Sequence, residues 1–528
     1  MNRVVTILSL IVLAIVLGFN ELTACVVPLV LIGSFFLICL STSLFPDKTQ
    51  VVILFLILSV TCLEIIWGIA QLLIKGGGLA YSMTGSFNHP APYAGFLVVC
   101  ISLLLSYYRF SEESVIRKVS LYVAAIAFIL VPVTLSRTAL LALLVTGATL
   151  YWDSIKNHLK PKLYMIAATV TVMAGVTCLY LAKKESANGR FFMDKISLRI
   201  MAGHGMKGVG IGNFEYEYGN EQAGYFRDNC FDAFNEFSCN PDHEDERYVA
   251  ACPKIAFNDY LQIGVEAGPV VMLAYILIIV FSINCSIKKH RIWGYGLLAF
   301  AIFSFFSYPL RYIEFQILAG VMVGLCTSGC EVSSKTLTNV LFQSGMVTIM
   351  SLLLIFVLPD LKERNEINNE WKEIRPMYDS GYYGLSVEKL ENISRMDISP
   401  INCLYAYGHS LNKIGLYERS DSVLKMGIIR SGDPMFWNIM GNNSLALGRY
   451  REAEERYKHA FYMVPNRLYP LILLAKLYDT EGDTARFLYM TDVIDSFVPK
   501  TENYNTEQLR AEIHNILEGY QMDDTTDY

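Results

Sequence analysis

The sequence predicts an all-α protein, a polytopic membrane domain of about eleven transmembrane helices followed by a soluble helical-repeat domain. Three observations carry that expectation. The residues are 53% hydrophobic against 17% charged, with a mean hydropathy of +0.37, so lipid is the main solvent. Apolar runs of membrane-crossing length recur from the N-terminus to Pro359. Beyond Pro359 the composition turns polar and apolar residues take the spacing of short amphipathic helices.

Spans are expected near residues 3–19, 25–45, 51–73, 91–107, 119–134, 136–152, 163–182, 258–284, 292–308, 312–328 and 337–359. The first is not read as a cleaved signal peptide, because no small-residue cleavage site follows and a second apolar run begins at once. Arg3, Lys48, Arg109, Arg117, Lys118, Lys156, Lys160, Lys162, Lys288, Lys289 and Arg291 then fall on one side, which the positive-inside bias makes cytoplasmic. The opposite side receives the loops around 74–90, 134–138, 183–257 and 308–311, and everything after residue 360.

Residues 1–360 are thus expected to form the membrane domain and 361–528 the repeat domain. Trp437, Met440, Gly441, Ala453, Tyr457, Ala460 and Pro465 have tetratricopeptide-repeat spacing, in which small residues let paired helices approach and proline ends the unit. Weaker copies run through Tyr405, Ala406, Gly415 and Tyr417, and through Leu471, Leu474, Ala475 and Tyr478. Such a stack either docks a peptide or protein partner or caps the membrane domain.

The loop 183–257 is too long for a connector. It carries Gly203-His-Gly-Met-Lys-Gly208-Val-Gly210-Ile-Gly212-Asn213-Phe214, where closely spaced glycines permit tight turns. A phosphate loop would need a strand before and a helix after, so a nucleotide site is rejected. Cys230, Cys239 and Cys252 also lie here: one disulfide or free thiols both fit, and no pairing is assigned. No CxxC pair occurs, which argues against structural zinc, and a net charge of −6 argues against nucleic acid.

Arg137, Arg190 and Arg311 stand at expected membrane boundaries, where a cation needs a partner or water. Each alone reads as snorkelling towards headgroups. Jointly, guanidinium forks on the outer side suit a lipid-anchored diphosphate, whose oxygens they bind bidentately.

Residues 80–330 resemble the O-antigen ligase and polymerase superfamily, which includes bacterial protein O-oligosaccharyltransferases. The likeness rests on Phe87-Asn88-His89-Pro90, Leu135-Ser-Arg-Thr-Ala139, Gly189-Arg190, the Gly208–Phe214 run, and Ala256-Phe-Asn-Asp-Tyr-Leu-Gln262 with Glu266 and Gly268. It implies a membrane glycosyltransferase of the C class in the bacterial inner membrane, with its C-terminal domain in the periplasm. Such enzymes pass a glycan from undecaprenyl diphosphate to an acceptor hydroxyl of a lipid, glycan or protein, with no metal or cofactor. Arg137, Arg190 and Arg311 would bind the diphosphate, with Asn88, Gly208, Gly210, Asn213 and Asn258 as supporting loop positions. Where the family has a basic histidine before the asparagine, this chain has Phe257. His243, Asp259 and Glu266 are the alternative bases, with His89 and His204 also on the outer side. Two other classes compete: a transporter, for which Glu64 is the clearest acidic residue within a span, and a membrane-anchored scaffold.

Overall fold

A computed structural model describes all residues except 1, 21–23, 76–82, 153–183, 232–235, 290, 329–336, 395–399 and 527–528. The helices in chain order are α1 (Asn2–Phe19), α2 (Val26–Leu44), α3 (Pro46–Lys75), α4 (Pro90–Phe110), α5 (Ser114–Val133), α6 (Arg137–Leu150), α7 (Lys184–His204), α8 (Phe214–Asn229) and α9 (Glu244–Val249). They continue with α10 (Asp259–Ala267), α11 (Pro269–Ile287), α12 (Ile292–Phe305), α13 (Ile313–Ser328), α14 (Leu337–Asp379), α15 (Tyr383–Ser394), α16 (Ile401–Lys413) and α17 (Tyr417–Ile428). The last are α18 (Met435–Ala446), α19 (Tyr450–Met463), α20 (Tyr469–Glu481), α21 (Thr484–Ser496) and α22 (Tyr504–Thr526). No strand occurs among the described residues.

The chain divides into two compact units. One comprises residues 1–184, 204–211 and 255–358, the other 185–203, 212–254 and 359–528. Most of the long loop therefore packs in the unit that contains the C-terminal helices, whereas the sequence reading grouped it with the membrane spans.

Among the described residues of the first unit, six helical stretches are long and apolar enough to cross a membrane: Val26–Leu44, Lys48–Ile74, Pro90–Phe110, Val115–Val133, Pro269–Ile287 and Val340–Asp379, the last of which continues into the second unit. Shorter apolar helices cover Val4–Gly18, Arg137–Leu150, Ile292–Phe305 and Ile313–Ser328. The expected span at 163–182 lies outside the described residues. Leu63, Ile66, Ile129, Leu277 and Phe356 stand exposed, as a lipid-facing surface requires. Without a hydrophobic drive between helices in lipid, close backbone approach matters most. Gly320 and Gly324 provide it on α13, where an added Cβ would strike the backbone or side chains of α2. Gly95 likewise admits the Phe303 ring between α4 and α12.

One expected boundary is corrected. The run 258–284 is not one span: it breaks at Gly268, which has φ 91°, into α10 and α11. At Pro359, where the composition turns polar, the division into units falls within a continuous helix, since α14 runs through Pro359 and Pro376 to Asp379.

In the second unit, α16–α17, α18–α19 and α20–α21 form successive hairpins at the positions of the expected repeats. Gly441 on α18 lies where any Cβ would meet the Tyr457 ring of α19, and Ala453, Tyr457 and Ala460 are fully buried. Arg456 crosses between hairpins to the buried Asp421, at 2.7 and 3.0 Å, and also donates to Ser444 Oγ.

The loop helices pack on this stack. The Asn466 side-chain amide donates to the carbonyls of Arg247, Tyr248 and Ala250 at 2.8–3.0 Å. Arg247, 6% exposed, donates in turn to the carbonyls of Pro465 and Val498. Gln222 of α8 donates to the Met463 carbonyl. Cys230 and Cys239 are joined as a disulfide, which settles the pairing left open by spacing, and Cys252 is a free thiol near Arg467.

Candidate functional site

Within the first unit, three loops that the sequence singled out meet through aromatic rings. Phe87 packs edge-on to Tyr312, with centroids 5.3 Å apart, Tyr312 stacks on Tyr308, and Tyr308 meets Phe257 at 5.0 Å. The Asn88-His89 loop, the Phe257–Asp259 segment and the turn that carries Arg311 are thereby linked.

Each loop is held locally. Gln71 on α3 accepts from the Thr84 and Gly85 amides and donates to the Gly85 carbonyl, while Glu64 accepts from the Ser86 amide at 3.1 Å. Gly85, at φ 58°, leaves no room for a side chain beside Glu64 and Tyr93. Glu64 thus serves this loop, and the clearest acidic candidate of the transporter reading has a structural partner. Asn88 itself is exposed.

Asn258 caps α10, accepting from the Tyr260 and Leu261 amides at 3.1 and 3.3 Å. Asp259 is 4% exposed and accepts from the Leu310 amide at 3.2 Å, tying α10 to the turn Pro309–Arg311. Ahead of the span that begins at Pro269, burial outweighs that hydrogen bond and pushes the Asp259 carboxyl up to about 8. Glu266 accepts from the Gln262 amide at 2.8 Å. Val209 and Gly210 donate from their amides to the carbonyls of Val265 and Glu266, both at 2.9 Å. Gly208, at φ 70°, is required there, since a Cβ would come within 2.6 Å of that backbone.

The only non-glycine residues at positive φ among the described residues are Leu135, at 52°, and Phe257, at 51°. Leu135 precedes Ser136 and Arg137, the first residue of α6, and Phe257 precedes Asn258 and Asp259. Backbone strain of this kind persists where surrounding structure fixes it, and it concentrates at functional sites. Arg137 is half-buried and Arg311 exposed.

The second unit holds Arg190, Asn213 and His243. Asn213 stands at the start of α8 without a side-chain cap. Arg190 on α7 lies near Asp194, whose carboxyl burial pushes up to about 6 while the arginine charge opposes the rise. His243 belongs to a network that no motif announced. Its Nδ1 lies 3.0 Å from Glu246 Oε2 and 3.1 Å from the Tyr225 hydroxyl. Lys195 donates to the Tyr225 oxygen at 2.7 Å and to Glu246 Oε1 at 2.6 Å, and the Tyr225 hydroxyl donates to Glu246. Burial works to raise Glu246, but hydrogen bonds from Lys195, Tyr225 and His243 outweigh it and hold the carboxyl below its usual range. The one legible signal was the three-residue step from His243 to Glu246, which places both on one helical face.

These geometries can be set beside known proteins. Residues 122–276 match the O-antigen ligase family. The O-antigen ligase match takes in Arg137, Arg190, the glycine run, His243, the Phe257–Asp259 segment and Glu266, and leaves Asn88 and Arg311 outside. It supports the ligase and polymerase superfamily and points to a glycosyltransferase-like function in a multi-pass membrane protein. No curated protein matches the chain.

Proposed function

We propose that the chain transfers a glycan from an undecaprenyl-diphosphate-linked donor to an acceptor hydroxyl at the periplasmic face of the bacterial inner membrane. The observation that carries this reading is the aromatic junction of three motif loops, with strained backbone at Phe257 ahead of Asn258 and Asp259. The acceptor oxygen attacks the anomeric carbon, the carbon–oxygen bond to phosphate breaks, and its electron pair leaves on the diphosphate. Arg137 and Arg311 bind that diphosphate and stabilise the charge that develops. No metal ion or nucleotide sugar is assigned a role.

The proton on the acceptor hydroxyl needs a base, and Phe257 cannot supply one. Asp259 is buried and committed to Leu310, and Glu266 is bonded to Gln262. His243, held in the second unit, has the chemistry of a base, since with Nδ1–H directed at Glu246 its Nε2 carries a lone pair, and it stands with the other two as an alternative. The acceptor is a lipid, a glycan end or a protein hydroxyl, and the hairpin stack favours a bulky one through a concave surface.

The test is transfer by purified protein in liposomes supplied with an undecaprenyl-diphosphate-linked glycan. Wild type should release glycan from the carrier, and Arg137→Ala and Arg311→Ala should each lower the rate by about a hundredfold or more. Folded wild type that neither binds nor consumes the donor would overturn the reading in favour of a scaffold.

A further inference from the structure

His89 has no role in the reading above, yet its chemistry is unusually well determined. Its Nδ1 accepts a hydrogen bond from the Ala91 amide at 3.2 Å and so caps α4. A backbone amide can only donate, so Nδ1 must carry the lone pair and the ring's single proton must sit on Nε2. Protonating Nδ1 would break the cap. His89 therefore cannot serve as a base without losing its place, but it offers a fixed N–H donor.

Two further observations bear on what that donor meets. The ring is exposed, and among the described residues no hydrogen bond engages Nε2. The loop that carries it is held by Gln71 and Glu64 through five hydrogen bonds of 2.8–3.4 Å, and Phe87, two residues earlier, packs on Tyr312 beside Arg311. A donor held this firmly costs little to orient when an anion arrives.

We propose that His89 is a ligand of the donor diphosphate, giving a neutral hydrogen bond from Nε2 to a phosphate oxygen. The step moves no proton: Nε2 keeps its hydrogen, and negative charge grows on the oxygen that accepts it as the sugar leaves. This rests on the diphosphate reading of the site and adds a ligand to it.

The test separates capping from binding. Asparagine is a good helix cap and lacks the Nε2 donor, so His89→Asn keeps the first role and removes the second, whereas His89→Ala removes both. Binding of undecaprenyl diphosphate to full-length protein in nanodiscs is measured beside thermal stability, with inorganic pyrophosphate as a second probe. His89→Asn should melt as wild type does and bind the lipid diphosphate about tenfold or more weakly. His89→Ala should melt lower as well. Weakening towards pyrophosphate to the same degree places the contact on the diphosphate, whereas loss confined to the lipid places it elsewhere and overturns the assignment. If His89→Asn binds like wild type, His89 is only a cap and the inference fails while the donor reading stands. If wild type does not bind undecaprenyl diphosphate, both fail together.

Discussion

Phe257 shows how a single position reshapes the chemistry around it. Its ring sits against Tyr308 and its backbone is left-handed, so the residue does structural work where the resembling family has a basic imidazole. The base is then sought elsewhere, and His243 with Glu246 makes a sharp prediction. His243→Ala should lower the transfer rate by about 10²-fold or more, and Glu246→Gln by less. Unchanged activity in His243→Ala would remove His243 from the mechanism. Asp259 predicts a pH effect of another kind. Its carboxyl titrates near 8 when folded against an ordinary value of 3.8, so the folded chain binds the extra proton between those values. Stability from this group is complete below about 3.8 and is lost as pH rises towards 8. Asp259→Asn, which still accepts from Leu310, should flatten the melting-temperature profile across that range, and an unchanged slope would refute the shift. Asp259→Ala should instead lower stability throughout. The titration of Asp259 was not legible in the sequence, because it follows from burial and from a partner some fifty residues away.

At the scale of elements, hydropathy located the apolar helices within a few residues but not their interruptions. An apolar window over 258–284 reads as continuous, although Gly268-Pro269 is a turn pair and proline favours the first position of a helix. The break gives the Gly208 segment its place, because Met206 approaches the Gly268 backbone where any side chain would stand. Gly268→Ala should therefore be more disruptive than a helix-interior change, costing about 1–3 kcal/mol of strain before the steric clash is counted. A thermal-shift series against Gly147→Ala, which meets nothing, gives the comparison. The hairpins were the most legible feature, since Gly441, Ala453, Tyr457 and Ala460 announce a close helix pair within a single local stretch. The helices of the long loop were not read, because α7 and α8 mix charged with aromatic residues and acquire a buried face only against partners distant in sequence.

Across the molecule, the seating of the long loop on the later helices was the least legible property. Asn466 meets three carbonyls more than 215 residues upstream, and no periodicity or spacing encodes such a pairing. Asn466→Ala strips donors from all three and should destabilise the loop's seat by about 1–3 kcal/mol. Hydrogen exchange should then rise in residues 244–251 before it rises in the spans; uniform exchange would mean the amide is dispensable. The same pairing bears on how the chain is made. Residues near Arg247 leave the ribosome some 250 positions ahead of Val498, to which Arg247 is bonded. At about 5–20 residues per second, that interval lasts on the order of ten to fifty seconds. Throughout it, the faces of α7–α9 that will be covered by the later helices have nothing to pack against, so a newly made chain passes through a stage in which its central segment is open to proteases and in need of a chaperone.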